Sequence, residues 1–174
     1  MIGSLLWCSK LLFFQRKDSY EKYEIKLLSK KFYEYYSSND FKEILLKENR
    51  PYLILLIKIQ KYDFAIPFRT NIRHKYSFIL SKDKDRNSGL DFTKSIIVKN
   101  KDFIGNKAYI SDKEYIELNT YLPKIIKKYI EFLEKYISII NSDKNYVEKR
   151  LYDNSSLKYF EKELLELNLV GITQ

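Results

Sequence analysis

The period of the hydrophobic pattern changes near residue 110, and this change limits the folds open to the chain. Before it, apolar residues alternate with polar ones or form short continuous runs, as in Tyr23–Leu28 and Tyr52–Ile59. Such runs predict strands, and the second is apolar enough for burial on both faces. After it, apolar residues recur every three or four positions from Tyr121 to Ile140, which predicts a helix with a wide core-facing stripe. We therefore predict an α+β fold, in which helices pack against a compact, twisted antiparallel sheet.

Local signals refine this outline. Pro67 predicts that the strand containing it ends at an edge or a bulge, because proline has no N–H for a strand ladder. The polar stretch Ser81–Gly89 predicts an exposed loop, and Leu90–Lys99 predicts a further strand. Thr120 predicts the cap of the long helix, with Pro123 in its first turn.

The length of the chain favours one domain. It has 174 residues, of which 45% are apolar, enough for one buried core and short for two. We predict residues 1–20 as an N-terminal extension without assigned role, 21–110 as a mainly β, basic region and 111–174 as a helical region. The apolar run within residues 1–20 is shorter than the ~20 residues of a membrane span, so we predict no membrane partner.

Cysteine and histidine are almost absent. One Cys and one His exclude a disulfide framework, and they do not supply the several thiolate or imidazole ligands of a transition-metal site. We therefore predict no metal and no cofactor. Sparse cysteine also fits a cytoplasmic protein, where thiols stay reduced.

The positive charge of the chain is concentrated in its middle third. The formal net charge is +9; residues 50–101 hold twelve Lys and Arg against four Asp and Glu, whereas residues 111–168 hold ten against eleven. Such a field predicts a polyanionic partner, most commonly nucleic acid. A merely Lys-rich composition is the alternative, and the uneven distribution argues against it.

The densest polar segment of this basic third is Arg69-Thr-Asn-Ile-Arg-His-Lys75. Cleaving RNA without a metal requires an aligned ribose 2′-OH, an acid and a base, and donors that stabilise the phosphorane. Arg69 can bind phosphate oxygens through paired donors, while Thr70 and Asn71 can hydrogen-bond the phosphate or the 2′-OH. Histidine exchanges protons near neutral pH, and His74 is the only one in the chain. A lone His is more often a surface or packing residue, so phosphate binding without catalysis stays open.

A second polar segment, Gly89-Leu-Asp-Phe-Thr-Lys-Ser95, follows the predicted loop. Lys94 can stabilise charge at phosphorus, and Asp91 can orient a neighbouring base or cap a turn. On a strand, Asp91 and Thr93 would share one face and Lys94 would take the other. The predicted catalytic set is Arg50, Arg69, Thr70, Asn71, His74 and Lys94.

Aromatic residues are abundant, with sixteen Tyr and eleven Phe, and aromatic rings stack on the unpaired bases of single-stranded RNA. Most must belong to the core. We predict surface platforms at Tyr33, Tyr35, Tyr36 and Tyr76. The predicted RNA-binding set is Tyr33, Arg73, Lys75, Tyr76, Lys82, Lys84, Arg86 and Asp91.

Four segments in chain order resemble the toxins of type III toxin–antitoxin systems, the ToxN/AbiQ group. They are Tyr23-Glu-Ile-Lys26, Arg50-Pro-Tyr52, Ala65-Ile-Pro-Phe-Arg-Thr-Asn-Ile72 with His74-Lys75, and Gly89-Leu-Asp-Phe-Thr-Lys94. The last two are most similar to the CptN and TenpN branches. The resemblance runs from about Tyr23 to the last helix and does not cover the first twenty or so residues.

The resemblance implies a partly open β-barrel with surrounding helices, related to the MazF and Kid toxins. It implies a metal-independent, sequence-specific endoribonuclease that leaves 2′,3′-cyclic phosphate and 5′-OH ends on mRNA, and a role in phage resistance. It further implies inhibition by an RNA antitoxin of pseudoknot repeats, bound across the basic groove in a closed protein–RNA hetero-oligomer, with the antitoxin cut from its precursor by the toxin.

Carried over by position, the basic residue before the buried strand is Arg50 and the hydroxyl residue after the proline is Thr70. The ToxN type has Thr-Ser-Pro-Lys after that proline, and this chain has Arg-Thr-Asn-Ile instead. The missing lysine leaves its role to Lys75, Lys94 or His74.

Two other classes of function stay open. A non-catalytic nucleic-acid-binding protein would use the same basic loop for phosphates, with binding that falls steeply with salt. A structural or interaction protein would use the Tyr and Ile stripe after residue 121, but the core requires that stripe.

Overall fold

A computed structural model of the chain describes residues 23–44, 52–83 and 86–169. Within these ranges, seven strands form one antiparallel sheet accompanied by four α-helices. The strands are β1 Tyr23–Leu28, β2 Leu53–Ile59, β3 Tyr62–Arg69, β4 Ser77–Asp83, β5 Arg86–Asp91, β6 Ile96–Ile97 and β7 Ile104–Lys107. The helices are α1 Lys30–Tyr35, α2 Asp112–Ile140, α3 Tyr146–Asp153 and α4 Glu161–Leu165. The predicted α+β class is confirmed.

The sheet is open. Its strand order is β4-β5-β3-β2-β1-β7, and β6 pairs with β3 beside this path. In the described part of the chain, β4 and β7 stand at opposite ends of the order and do not pair, so the sheet does not close into a barrel. The two apolar strands β2 and β3 form the central hairpin, with partners running from Ile54 and Pro67 to Ile59 and Tyr62.

Strand β3 changes partners along its length, which explains its proline. On the side away from β2, Phe64 and Ala65 pair with β6, whereas Phe68 and Arg69 pair with β5. Pro67 lies between these two pairings, where no described residue forms a ladder with it on that side. The proline therefore marks a local edge inside a central strand, because a missing N–H is tolerated there.

The predicted loop at Ser81–Gly89 is wrong, because most of it forms the β4–β5 hairpin. Its pairs run from Ser77 with Asp91 to Asp83 with Arg86, with a register shift between Ile79 and Ser81. Gly89 lies beside this shift, and a Cβ there would come within 2.0 Å of the carbonyl oxygen of Phe78. Polarity alone suggested a loop, but an exposed two-stranded ribbon has no apolar face to reveal it.

Helix α2 packs against the sheet and supplies much of the core. Tyr129 is fully buried, with its ring 5.7 Å from Phe64 and 5.2 Å from Phe92, both edge-on. Edge-on packing is favoured between aromatic rings because the positive edge of one faces the negative face of the other. The periodic stripe predicted from the sequence is thus the buried face of a helix.

The predicted start of this helix is wrong by nine residues, because the cap is Ser111 and not Thr120. Ser111 caps it, accepting a bond from the Glu114 backbone while the Glu114 carboxylate accepts one from the Ser111 N–H at 3.0 Å. Pro123 therefore lies inside the helix rather than in its first turn. Both Pro123 and Asn119, whose carbonyl loses its helical partner, are exposed, so water can bond the freed oxygen.

Candidate functional site

The register of β3, β4 and β5 brings the two polar segments of the basic third together. Phe68 and Arg69, at the end of β3, pair with Leu90 and Gly89 of β5. Ser77, at the start of β4, pairs with Asp91 at the end of β5. The loop from Thr70 to Tyr76 connects β3 to β4 and passes over this junction.

The carboxylate of Asp91 is the centre of the junction. It is fully buried, and its Oδ2 accepts a hydrogen bond from Arg69 Nη1 at 2.5 Å. Its Oδ1 accepts bonds from Thr93 Oγ1 at 2.7 Å and from the Thr93 N–H at 3.0 Å. The Nε2 atom of His74 lies 3.4 Å from the same Oδ1. We call Arg69, His74, Asp91 and Thr93 the Asp91 cluster.

Asp91 stays ionised despite its burial. Burial raises the pKa of this carboxyl, but bonds from His74 and Thr93, the charge of His74 and the bond from Arg69 outweigh it and lower the pKa to about 2. Asp91 is therefore a permanent anion at neutral pH. It attracts the cations above it without itself meeting solvent.

The loop above Asp91 is fixed by backbone contacts. Ile72 is buried, its N–H bonds the Asn87 carbonyl at 3.0 Å, and its own carbonyl accepts from Asn87 Nδ2 at 3.4 Å. The Ser77 hydroxyl donates to the His74 carbonyl at 3.0 Å. The Phe92 N–H donates to the Tyr76 carbonyl at 3.2 Å. The loop is thus anchored before, at and after His74.

The polar side chains of this loop are left on the surface. Thr70, Asn71, Arg73, His74 and Lys75 are all exposed. Asn71 has φ 60°, in the left-handed region that Asn tolerates better than most residues, and its Oδ1 accepts a bond from Arg73 Nε at 3.2 Å. A buried Ile72 between exposed neighbours therefore presents these groups in a defined arrangement.

This arrangement can move protons and bind phosphate. With Nε2 of His74 facing Asp91, no residue of the described part bonds the Nδ1 atom, which can therefore face a substrate, and the carboxylate stabilises the ring when it is protonated. Arg69 uses one nitrogen on Asp91, and its side chain is 35% exposed, so its other donors can reach a bound anion. His74, which can transfer protons, and Arg69, which can bind phosphate, thus both contact one buried carboxylate.

A short helical turn holds Asp91 from the other side. Residues Phe92–Lys94 form a 3-10 turn capped by Asp91, so the predicted strand at Leu90–Lys99 is wrong there. The Ser155 hydroxyl donates to the Thr93 carbonyl at 2.9 Å, and the Ser156 hydroxyl donates to the Ser95 carbonyl at 2.6 Å and the Thr93 carbonyl at 3.2 Å. Both serines are fully buried. Sequence reasoning missed this support, because a Ser pair before a helix signals only a cap.

Lys94 does not join the Asp91 cluster. Its ammonium is 3.0 Å from Glu43 Oε2 and donates to the carbonyls of Glu43 at 3.2 Å and Asn154 at 2.8 Å. Its side chain is 14% exposed. The structure therefore uses Lys94 to tie the turn to two other segments, which leaves Lys75 and His74 as the groups near the place of the missing lysine.

Two predicted RNA-binding residues are corrected. Tyr33 is buried rather than a surface platform, and its hydroxyl accepts the Tyr52 N–H at 2.8 Å. Asp91 is buried as well, so its side chain is not available for direct contact with a ligand. Tyr36, also proposed as a platform, is buried, whereas Tyr35 is 60% exposed.

The other predicted site residues lie near strands β4 and β5 or outside the described residues. Tyr76 is half-buried beside Lys75, and Lys82 is exposed on β4. Arg86 contributes its backbone to β5, while its side chain falls outside the described part. Arg50 and Lys84 lie outside the described residues.

Neither a metal-binding cluster nor a membrane-spanning helix occurs in the described part of the chain. No three His, Cys, Asp or Glu side chains there come together as a metal site would require. No helix among residues 23–44, 52–83 and 86–169 combines the length and apolarity needed to cross a membrane.

Comparison of the chain with models of known families, with curated proteins and with solved structures returns no match. The features of the chain that indicate a function are therefore the Asp91 cluster itself and the resemblance of its two sequence segments to the type III toxins.

Proposed function

We propose that the chain is a metal-independent endoribonuclease and the toxin of a type III toxin–antitoxin system. The observation that carries this proposal is the buried, ionised Asp91 bonded to Arg69 and 3.4 Å from His74, beneath a fixed loop of exposed donors. Each residue of this set belongs to a segment that resembles the ToxN/AbiQ group.

The reaction is a transfer of the phosphoryl group to the neighbouring ribose oxygen. The 2′-oxygen bonds to phosphorus while the bond from phosphorus to the 5′-oxygen breaks. One proton leaves the 2′-OH and another reaches the departing 5′-oxygen, which gives 2′,3′-cyclic phosphate and 5′-OH ends. His74 serves one of these transfers, and Lys75 or water serves the other.

Charge stabilisation comes from the same loop. Arg69, held by Asp91, donates to the non-bridging oxygens of the phosphorane, and Lys75 adds a second positive charge. Thr70 and Asn71 align the 2′-OH with the breaking bond. Because these groups are already in place, little reorganisation is needed when the negative charge develops.

The inhibitor in this proposal is an RNA antitoxin of pseudoknot repeats that covers the same loop in a closed protein–RNA assembly. The open antiparallel sheet with surrounding helices supports a relation to the MazF and Kid folds. Substrate mRNA and antitoxin would then compete for one positively charged surface in the cytoplasm.

A non-catalytic RNA-binding protein is the second candidate, since exposed Arg73, Lys75 and Lys82 suffice for phosphate contacts. The Asp91 cluster favours the enzyme over it. A purely electrostatic binder gains nothing from a buried carboxylate that attracts the cations inward and offsets part of their charge.

The test is cleavage of total bacterial RNA in excess EDTA by nucleic-acid-free protein, with the ends mapped. The variants are His74→Ala and Thr70→Ala, and Thr120→Ala is the matched control, because Thr120 is an exposed residue whose hydroxyl donates to the Ile116 carbonyl within α2. We expect discrete cuts with cyclic phosphate ends from wild type and Thr120→Ala, and a loss of about 100-fold or more in His74→Ala.

Intact RNA after incubation with folded wild-type protein would contradict the nuclease proposal and leave the non-catalytic RNA-binding protein as the remaining candidate. Equal cleavage by wild type and His74→Ala would remove His74 from the chemistry.

A further inference from the structure

A row of aromatic rings and lysines leads away from His74 across β4 and α2. Tyr121, Lys128 and Lys135 follow one another at seven-residue spacing, which places them along one line of the helix. This line faces β4 and the residue before it, because Tyr76 and Phe78 contact its lysines. We call these five residues together with Lys75 the α2 track.

The first part of the α2 track gathers two positive charges around one ring. The ammonium groups of Lys75 and Lys135 each lie 5.5 Å from the centroid of Tyr76. The two nitrogens are therefore no more than about 11 Å apart, although like charges repel. The ring of Tyr76 is in turn packed 5.7 Å from Phe132, so its position is fixed by the core. An anion between the two ammonium groups relieves their repulsion.

The second part of the α2 track, two turns of the helix earlier, also places a lysine beside an aromatic ring. Lys128 Nζ lies 5.5 Å from the centroid of Phe78, whose ring is 5.9 Å from that of Tyr121. Tyr121 is 43% exposed, so part of its ring is open to a stacking partner. Lys128 and Lys135 are separated by about 10 Å along the helix axis.

Acidic groups near the track do not cancel its charge. Glu131 lies between Lys128 and Lys135 in the sequence and is exposed, yet it forms an ion pair with neither of them in the described part. Glu134, which is half-buried, also lies between these two lysines in the sequence, so three lysines stand against two glutamates and the track keeps a positive net charge.

We propose that single-stranded RNA entering the His74 site continues along the α2 track. Its phosphates lie against Lys75 and Lys135 and then Lys128, and one unstacked base lies on Tyr121. A duplex is not the ligand, because paired bases do not offer their faces to a ring. This inference rests on the proposed function for the direction of the strand, but it adds residues outside the four segments that resemble the toxins.

The experiment measures binding of a probe that cannot be cleaved. The probe is a fluorescent 20-nucleotide single strand of mixed sequence with every ribose 2′-O-methylated, and its binding is followed by anisotropy between 50 and 300 mM salt. The test variant is Lys128→Gln with Lys135→Gln. The matched control is Lys127→Gln with Lys149→Gln, which removes the same charge from two exposed helical positions that do not belong to the α2 track.

Two lost phosphate contacts should weaken binding about tenfold at 0.15 M salt and reduce the slope of log affinity against log salt by about 1.4. The control should change affinity by less than about twofold at the same salt, because it removes only long-range attraction. A Tyr121→Leu variant keeps an apolar side chain against Phe78, and it should bind at least severalfold more weakly through loss of stacking.

Equal losses in the two double variants, or affinities that match wild type in both, would overturn the α2 track. Urea unfolding of all variants confirms that a weaker affinity does not come from a misfolded protein. The nuclease proposal can fail independently of the α2 track. If wild-type protein leaves cleavable RNA intact but the Lys128→Gln, Lys135→Gln variant still loses affinity selectively, the nuclease proposal is wrong and the α2 track remains as the surface of an RNA-binding protein.

Discussion

The two ends of strand β3 both carry basic residues, but their acidic partners lie in different places. At the start of β3, Lys61 Nζ and the Tyr62 hydroxyl each lie 2.6 Å from the exposed carboxylate of Glu166. At the end of β3, Arg69 bonds Asp91, which is fully buried. The first acid neutralises its lysine at the surface, whereas the second lies beneath its cations and leaves their outer donors open.

This difference shows that the position of the acids decides which part of a basic region can bind an anion. The bond from Lys61 lowers the pKa of Glu166, with a further contribution from Tyr62, as expected for a satisfied surface pair. Lys99 is likewise paired, with Glu163 at 2.8 Å. The middle third of the chain is thus less uniformly positive in three dimensions than in sequence, because Lys61 and Lys99 are neutralised at the surface.

The largest expected effect comes from removing the buried charge. Asp91→Asn keeps the shape of the side chain, but it leaves His74 without the carboxylate that stabilises its protonated form. We expect cleavage to fall about 100-fold or more. Asp63→Asn, near the start of β3 and far from the Asp91 end of that strand, is the control and should retain wild-type activity. Similar rates for both variants would contradict a role of Asp91 in the reaction.

The same variant tests the effect of Asp91 on stability. Its pKa is lowered from 3.8 to about 2 in the folded protein, so it stabilises the fold above pH 4, and this contribution is lost as the pH falls towards 2. The contribution at neutral pH is about 2 kcal/mol. The difference in unfolding free energy between wild type and Asp91→Asn, from urea titrations, should therefore shrink between pH 4 and pH 2. A difference independent of pH would show that the charge of Asp91 is not its source.

A smaller effect should follow from loosening the turn behind the carboxylate. Ser156→Ala removes one hydrogen-bond donor from the carbonyl of Ser95 and one from the carbonyl of Thr93, and should lower the unfolding free energy by about 1–3 kcal/mol. Turnover at a temperature where both proteins are folded should fall severalfold, because Thr93 helps to orient Asp91. Ser138→Ala, which removes an exposed hydroxyl bonded to Lys135 within α2, should change neither quantity measurably. Full activity in Ser156→Ala would show that the turn needs no support from the helical region.

The smallest effect is expected at the other end of β3. Glu166→Gln frees Lys61, but exposed ion pairs contribute little to stability, and the Asp91 cluster does not depend on this pair. Turnover and the midpoint of thermal unfolding should both match wild type. A marked loss of cleavage would contradict the division of β3 into a neutralised end and a functional end.

Much of the sheet was predictable because local pattern dictated it. The predicted first strand is β1, and the apolar run and its return became the β2–β3 hairpin. The early start of α2 was also predictable, because Ser111 and Glu114 have the spacing of a capping box. Pro123 favoured a later start, since proline is more common in the first turn of a helix than inside one.

The Asp91 cluster was less predictable, since a buried acid and an exposed acid look the same in a sequence. Arg69 and His74 could be selected by residue type, but their common partner depends on the pairing of β3 with β5, which joins residues about twenty positions apart. Lys94 illustrates the same limit. Its three contacts come from residues 51 and 60 positions away, and no local pattern reports them.

The bonds from Ser155 and Ser156 to the Thr93 turn also determine when the site can assemble during synthesis of the chain. Arg69, His74 and Asp91 leave the ribosome close together, but Ser155 follows Thr93 by 62 residues. A growing chain in which residues 155 and 156 are still inside the ribosome contains every residue of the Asp91 cluster. It does not yet contain the two serines that bond the Thr93 turn. Premature termination in the helical region would therefore yield a fragment with the right side chains and no assembled site, so activity would await nearly complete translation of the described part.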